Sequence, residues 1–276
     1  MNFEVSEDEN LVIGHYAKTL NPDEIEKLNK DVTISKFHQN KLENEAKKNW
    51  DLFYKRNEGR FFKDRHWTKN EFEEFTKEFD FSKISPTPTM LEIGCGVGNF
   101  IFPLIEEKVP YFIYACDFSS RAIELVKKHP LYEDDVCHAF VCDITEDNLK
   151  DTITENSVDI VSMIFVLSAI HPDKMLNALK NIYQILKPGG IVIFRDYGLY
   201  DAAMFRFNPA RKLAKYFYVR QDGTRAYYFS EEYLAKLFEA ANFEVIYNKY
   251  VKKETVNKKE NISLSRIFIQ GKFRKI

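Results

Sequence analysis

Apolar residues in this chain follow two rhythms. Short, nearly continuous apolar runs alternate with stretches where they return every three or four positions, the signatures of buried strands and of amphipathic helices. From Pro22 to Arg56 the pattern is helical, with Asn21 placed as N-cap before Pro22 at the first helical position. Pro86 and Pro88 then break the chain. Beyond them the pattern predicts a strand at Thr89–Ile93, a helix at Asn99–Glu107, a strand at Tyr111–Asp117 and a helix at Ser120–Lys128. A strand at Cys137–Asp143 and an apolar strand at Val158–Ile164 follow. Next come a helix at Lys174–Leu186, closed by Lys187-Pro188-Gly189-Gly190, and a strand at Ile191–Asp196. After an irregular insertion, Ser230 caps a helix running to Ala241, and Glu244–Val251 and Arg266–Lys272 read as an antiparallel pair. Strands alternating with crossover helices predict a doubly wound, mostly parallel α/β sheet of seven strands, with helices on both faces and a helical N-terminal extension.

Composition narrows the class. The 276 residues suit one generous domain or one domain with an extension, and 45% hydrophobic residues with 24 Phe and 15 Tyr exclude a disordered chain. Cys95, Cys116, Cys137 and Cys142 show neither disulfide nor zinc spacing, so no metal is expected and a reducing compartment is. The acidic start lacks the features of a signal or transit peptide. The longest apolar stretch, Ile160 to Ile170, is far too short to span a bilayer. These features predict a soluble cytosolic protein. The net charge of −2 disfavours a polyanion partner, but its distribution does not: acidic residues crowd the first thirty positions, while basic ones gather at Arg206–Arg225 and Lys249–Lys275.

The sharpest motif is Leu91-Glu92-Ile93-Gly94-Cys95-Gly96-Val97-Gly98-Asn99, placed after a strand and before a helix. Its glycines permit a tight turn and close backbone approach to a ligand. The spacing is G-x-G-x-G, so the third glycine comes one residue early for a dinucleotide loop. Asp117 ends the second core strand, where an acidic side chain accepts from a ribose diol. Asp143 ends the third, placed to accept an adenine amino group while Ile144 covers the ring, and Ile164 ends the fourth beside the remaining arm of the ligand. Any one of these aspartates alone reads equally well as a loop cap; four positions in register at strand ends do not.

Met90 to about Lys272, with the Pro-Gly-Gly turn, resembles the class I S-adenosylmethionine methyltransferases, which are Rossmann-like. Four further strings are more specific: Asn49–Arg56, Phe61–Trp67, Phe194–Asp201 and Tyr218–Arg225. Together they resemble the methyltransferase-like tRNA 3-methylcytidine enzymes, which modify position 32 of the anticodon loop, and the likeness runs from about Ile25 to Phe273. It implies S-adenosylmethionine as cofactor and the tRNA anticodon arm as substrate. Without the longer branches' N-terminal addition, the chain looks most like the short cytosolic branch, which acts on serine tRNAs with seryl-tRNA synthetase as partner. The implied organisation is an N-terminal lid over 1–80 and a methyltransferase domain over 81–276, with an RNA-contacting insertion at about 201–229.

The resemblance also implies roles. Trp50 and Tyr54 would close over the cofactor, although Trp50, Phe53 and Tyr54 at i, i+3, i+4 read equally as a core-facing stripe. Phe61 and Arg65 would meet the target base, unless Phe61, Phe62 and Trp67 are simply a packed cluster. Phe165 and Tyr197 would line the base pocket. Asp196 would stabilise the cationic product, the alternative being a structural acceptor for the turn at Gly198. Arg206, Arg211, Lys212 and Arg220, interleaved with aromatics, read as an RNA track or as a solvated face. Two rival functions stay open: a methyltransferase for a protein or metabolite, and a non-catalytic RNA-binding subunit of the same fold.

Overall fold

The computed structural model describes residues 11–57, 87–257 and 262–276. Parallel strands β2 (Thr89–Ile93), β3 (Phe112–Asp117), β4 (Cys137–Val141), β5 (Val158–Ile164) and β6 (Leu186–Tyr197) form the centre of a sheet. Antiparallel β10 (Phe243–Asn257) and β11 (Ile262–Lys275) extend it, and β1 (Leu11–Gly14) closes one edge. The order is β1-β10-β11-β6-β5-β2-β3-β4, with the direction of winding reversing between β2 and β5. β5 is buried on both faces at Val158, Ile160, Val161 and Met163, as a central parallel strand must be.

Eight strands replace the expected seven. β1 adds to the edge of β10 through Leu11 opposite Lys253 and Gly14 opposite Tyr250. Its four residues are too few to register as a period. The terminal hairpin is also longer than its apolar pattern suggests, pairing Asn257 with Ile262.

The stretch Pro22–Arg56 is not one helix but three: α1 (Pro22–Asn29), α2 (Lys36–Asn44) and α3 (Ala46–Asn57). The first starts at the Asn21 cap, whose side chain accepts from Glu24 N–H at 2.9 Å while the Glu24 carboxylate accepts from Asn21 N–H. The break at Asp31–Ile34 has a tertiary cause: Val32 and Ile34 N–H donate to the carbonyls of Pro209 and Lys212 at 2.9 and 2.8 Å.

On one face of the sheet lie α4 (Ile101–Glu106) and α5 (Ser120–Lys127), on the other α6 (Pro172–Ile185) and α7 (Glu231–Ala240). Helix α6 buries Met175, Ala178, Leu179, Ile182 and Ile185, the i, i+3, i+4, i+7 stripe of an amphipathic helix. The Pro188-Gly189-Gly190 turn does not separate helix from strand: it bulges within β6, whose Leu186 pairs with Val158 and Ile191 with Ile160. Lys187 fixes the bulge by donating to the buried Asp159 carboxylate at 2.7 and 2.8 Å.

The insertion is ordered. β7 (Lys212–Ala214), β8 (Phe217–Val219) and β9 (Arg225–Tyr227) form their own antiparallel sheet, and Phe217, Tyr218, Val219 and Ala226 share a core cluster with β5 and α6. Alternation over three residues is too short to announce a strand. Tyr218 Oη also donates to Asp31 at 2.7 Å, so the insertion and the N-terminal helices are joined.

Candidate active site

A cleft of about 950 Å³, counting its open mouth, lies at the carboxyl ends of the parallel strands, where such sheets bind ligands. Trp50, Tyr54, Gly94, Asp117, Asp143, Ile144 and Phe165 line it.

The floor is built by the turn after β2. Gly94 and Gly96 have φ of +61° and +57°, a region that penalises a side chain. A Cβ on Gly94 would lie 2.6 Å from Val166 Cγ2, and one on Gly96 would crowd the Tyr54 hydroxyl at 3.0 Å. Gly96 N–H donates to Asp117 Oδ2 at 3.0 Å and Ser119 N–H to Oδ1 at 2.9 Å. Each carboxylate oxygen thus holds one protein partner and retains a lone pair for a diol. Burial lifts the Asp117 carboxyl to about 6, against the pull of those two bonds; the nearby Asp51 charge adds to the rise. Asp143 keeps its Oδ1 engaged by Thr145 N–H (3.0 Å) and Oγ1 (2.7 Å), and it lines the cleft beside Ile144.

Ile164 is not part of the lining. It sits half-buried against the second core cluster, and Ile93 takes the corresponding wall position. Phe165 carries the chain into the cleft at φ +59°, a conformation rare for a bulky residue and characteristic of functional turns. Its ring lies 5.0 Å from that of Tyr197 and 5.6 Å from Phe268.

Asp196, one residue before Tyr197 on β6, is fully buried and outside the cleft lining. Its Oδ2 accepts from Ser168 N–H and its Oδ1 from Tyr197 N–H, both at 2.9 Å. The Gly198 turn is held otherwise, by its own N–H donating to the Ile267 carbonyl at 2.9 Å. Burial raises the Asp196 carboxyl to about 6 despite the Ser168 and Tyr197 bonds and the Arg220 charge.

The basic run divides. Arg206 is exposed, and Arg211 and Lys212 are half-buried. Arg220 turns inward: its guanidinium sits 5.5 Å from the Tyr197 ring centroid and donates to the Arg225 carbonyl at 2.8 Å. Arg225 is buried, donating to the Ala169 carbonyl at 3.1 Å and pairing with Glu43. Lys174 approaches the same carboxylate at 3.1 Å. Burial pushes Glu43 upward, but these two cations outweigh it and hold the carboxyl below its usual value. Glu43, Lys174 and Arg225 all line the cleft, and so does Phe118. Phe118, Glu43 and Lys174 were not singled out in the sequence, and Arg225 was legible only as part of the basic run, because the charged trio comes together from α2, α6 and β9. Phe61 and Arg65 lie outside the described residues.

A paired set of glycines under an aromatic hydroxyl, a buried diol acceptor and a second carboxylate on an apolar wall fit a nucleoside with a polar arm. A methyltransferase domain family matches residues 65–248. The chain is 57% identical over 265 residues to human tRNA N(3)-cytidine methyltransferase METTL6, covering 95% of this chain and 92% of that protein. It is 42% identical over 246 residues to the fission yeast tRNA N(3)-methylcytidine methyltransferase trm141, covering 88% and 98% respectively. The chain belongs to this methyltransferase family. Its fold is shared with an S-adenosylmethionine-dependent methyltransferase from Anabaena variabilis at TM-score 0.60 and 12% identity, covering 84% of this chain and 95% of that one. S-adenosylmethionine is therefore the cofactor of this methyltransferase, and the residues of the cleft suit it. Among the described residues there is no cluster of metal-ligating side chains and no helix long and apolar enough to cross a membrane.

Proposed function

We propose that this methyltransferase forms N3-methylcytidine at position 32 of the anticodon loop, in serine tRNAs, with Gly94, Gly96, Asp117, Asp143 and Ile144 holding the cofactor and Trp50 and Tyr54 closing over it. The carrying observation is the extent of the identity with METTL6, 95% of the chain, which takes in the N-terminal helices and the insertion as well as the cofactor half. A shared cofactor site alone would leave the acceptor undetermined.

When bound, S-adenosylmethionine supplies the sulfonium methyl. Cytosine N3 offers an in-plane lone pair that is largely unprotonated at neutral pH, so the protein needs no general base and works by position and electrostatics. The N3 edge pairs in a duplex, so the base must be flipped from its stack and held by aromatic faces. Phe165, which lines the cleft, and Tyr197, whose ring packs against it, are suited to this. Methylation leaves the ring cationic. Asp196 is fully buried next to Tyr197 in the chain, where its field is weakly screened, and in this reading it acts as a charge-stabilising group. Arg206, Arg211 and Lys212 stand on the insertion where a loop entering the cleft would carry its phosphates; Phe61 and Arg65 keep their proposed place beside the base. The N-terminal stretch 1–80 forms the lid, and 81–276 the methyltransferase domain with the RNA-contacting insertion. The protein works in the cytoplasm with seryl-tRNA synthetase as partner.

The test is methylation of purified tRNAs with labelled cofactor, followed by mapping of the modified nucleoside. N3-methylcytidine at position 32 of serine tRNAs, enhanced by added seryl-tRNA synthetase, is the expected result. Label in protein or metabolite pools and none in tRNA would overturn the reading.

A further inference from the structure

We infer that Asp51 is a positioning residue that latches helix α3 onto the ribose-binding turn, so that the cofactor leaves only when the contact between Asp51 and Ser119 breaks. Asp51 Oδ1 accepts from Ser119 Oγ at 2.5 Å and lies 3.4 Å from Arg121 N–H. Ser119 is fully buried, caps α5 by accepting from Ala122 N–H at 3.2 Å, and gives its own N–H to Asp117 Oδ1 at 2.9 Å. One serine therefore joins two carboxylates: Asp117 takes the backbone proton and Asp51 the hydroxyl proton.

Asp51 is the single acidic residue of α3, and placing it beside Asp117 brings like charges together in a partly buried site. That juxtaposition has a cost, and a neutral hydrogen-bonding residue would meet the packing need without it. What the position gains is a charge-assisted bond at the N-terminus of α5, where negative charge is favoured. The flanking residues of the same helical turn face the ligand space: Trp50 and Tyr54 line the cleft, and the Tyr54 hydroxyl covers Gly96. Phe53 and Tyr54 pack with Ala122, Val97 and Leu125, so the apolar seam lies beside the polar latch. Opening α3 breaks both at once.

The inference rests on the cleft holding the cofactor but not on the identity of the RNA. Release of S-adenosylhomocysteine is followed by stopped-flow using Trp50 fluorescence in a Trp67→Phe background. Asp51→Ala and Ser119→Ala should each speed release about tenfold, the worth of a hydrogen bond to a charged group. The double variant should release no faster than Ser119→Ala, which already removes the latch bond together with the α5 cap. Asp51→Asn keeps an acceptor and should fall between wild type and Asp51→Ala, which guards against a misfolded alanine variant. Wild-type release from Asp51→Ala, or additive acceleration in the double variant, would overturn the latch. Asp117→Ala separates the two readings: if it binds S-adenosylhomocysteine as wild type does, the cleft assignment fails; if it binds weakly while Asp51→Ala releases normally, only the latch fails.

Discussion

The two sides of this cleft are built on different principles. On the side proposed to hold the cofactor, Asp117 ends a parallel strand and Gly94 and Asp143 follow within two residues of one, so neighbouring strands in the same sheet bring them together; β2 and β3 pair in register from Thr89–Phe112 to Ile93–Cys116. Elsewhere in the lining, Glu43, Lys174 and Arg225 come from a helix, a crossover helix and the insertion, and they meet only because the insertion packs into the core. The first side tolerates changes elsewhere because its geometry is that of the sheet. The second depends on a chain of contacts, Val32 to Pro209, Ile34 to Lys212, Tyr218 to Asp31, each a single hydrogen bond worth about 1 kcal/mol. In the proposed reading, the sheet-built part of the lining holds a constant cofactor and the jointed part admits a large RNA.

The contrast can be broken most sharply at Asp196. Asp196→Asn should lower the single-turnover rate by about 10²–10³-fold, with tRNA and cofactor affinities nearly intact, because the charge it stabilises develops only during transfer. Normal turnover in a folded variant would make the carboxylate structural and leave the chemistry to positioning alone.

A smaller but still large effect is expected at the sheet end. Asp117→Ala should weaken S-adenosylhomocysteine binding by about 1–3 kcal/mol, which is roughly 5-fold to 150-fold, read by calorimetry. Wild-type affinity would remove the ribose acceptor from that position.

Both carboxyls titrate at about 6, which sets a pH dependence with a defined sign. Cofactor binding and charge stabilisation require the ionised forms, so each function is present above about pH 6 and falls roughly tenfold between about pH 7 and 5. Stability moves the other way for these two groups. Their folded values lie above the unfolded carboxylate range, so the folded chain binds the extra protons, and their charge costs stability as pH rises from about 4 to 6. Activity that falls on acidification without unfolding, with circular dichroism followed alongside rate, would bear this out. A rate independent of pH over that window would show that neither charge is used.

The smallest effects belong to the jointed wall. Arg211→Ala with Lys212→Ala should reduce the salt slope of tRNA binding by about 0.7–0.9 for each phosphate that is no longer neutralised. Unchanged slope and affinity would move the RNA track off the insertion, leaving the inward-turned Arg220 and Arg225 as scaffold for the wall.

The strand ends, the Gly94–Gly98 turn and both aspartates of the cofactor half were legible in the sequence, because strand, turn and terminal acid are consecutive and a parallel sheet places consecutive units side by side. Trp50 and Tyr54 were legible only as one face of a helix. Ile164 was misplaced by one step: the chain turns left-handed at Phe165, and that turn carries Phe165 and Val166 into the cleft instead. Three further properties came from tertiary structure alone. The N-terminal helix breaks at Asp31–Ile34 because the insertion offers carbonyls there. Arg220 and Arg225 turn inward because Tyr197, Ala169 and Glu43 receive them. Asp196 is fully buried and off the cleft lining while Asp117 opens on the cleft, although both lie at the ends of parallel strands. Local periodicity specifies which residues form an element and which face they share. Where two faces distant in sequence meet is decided by packing and by the pairing of buried polar groups, and that is a property of the assembled core.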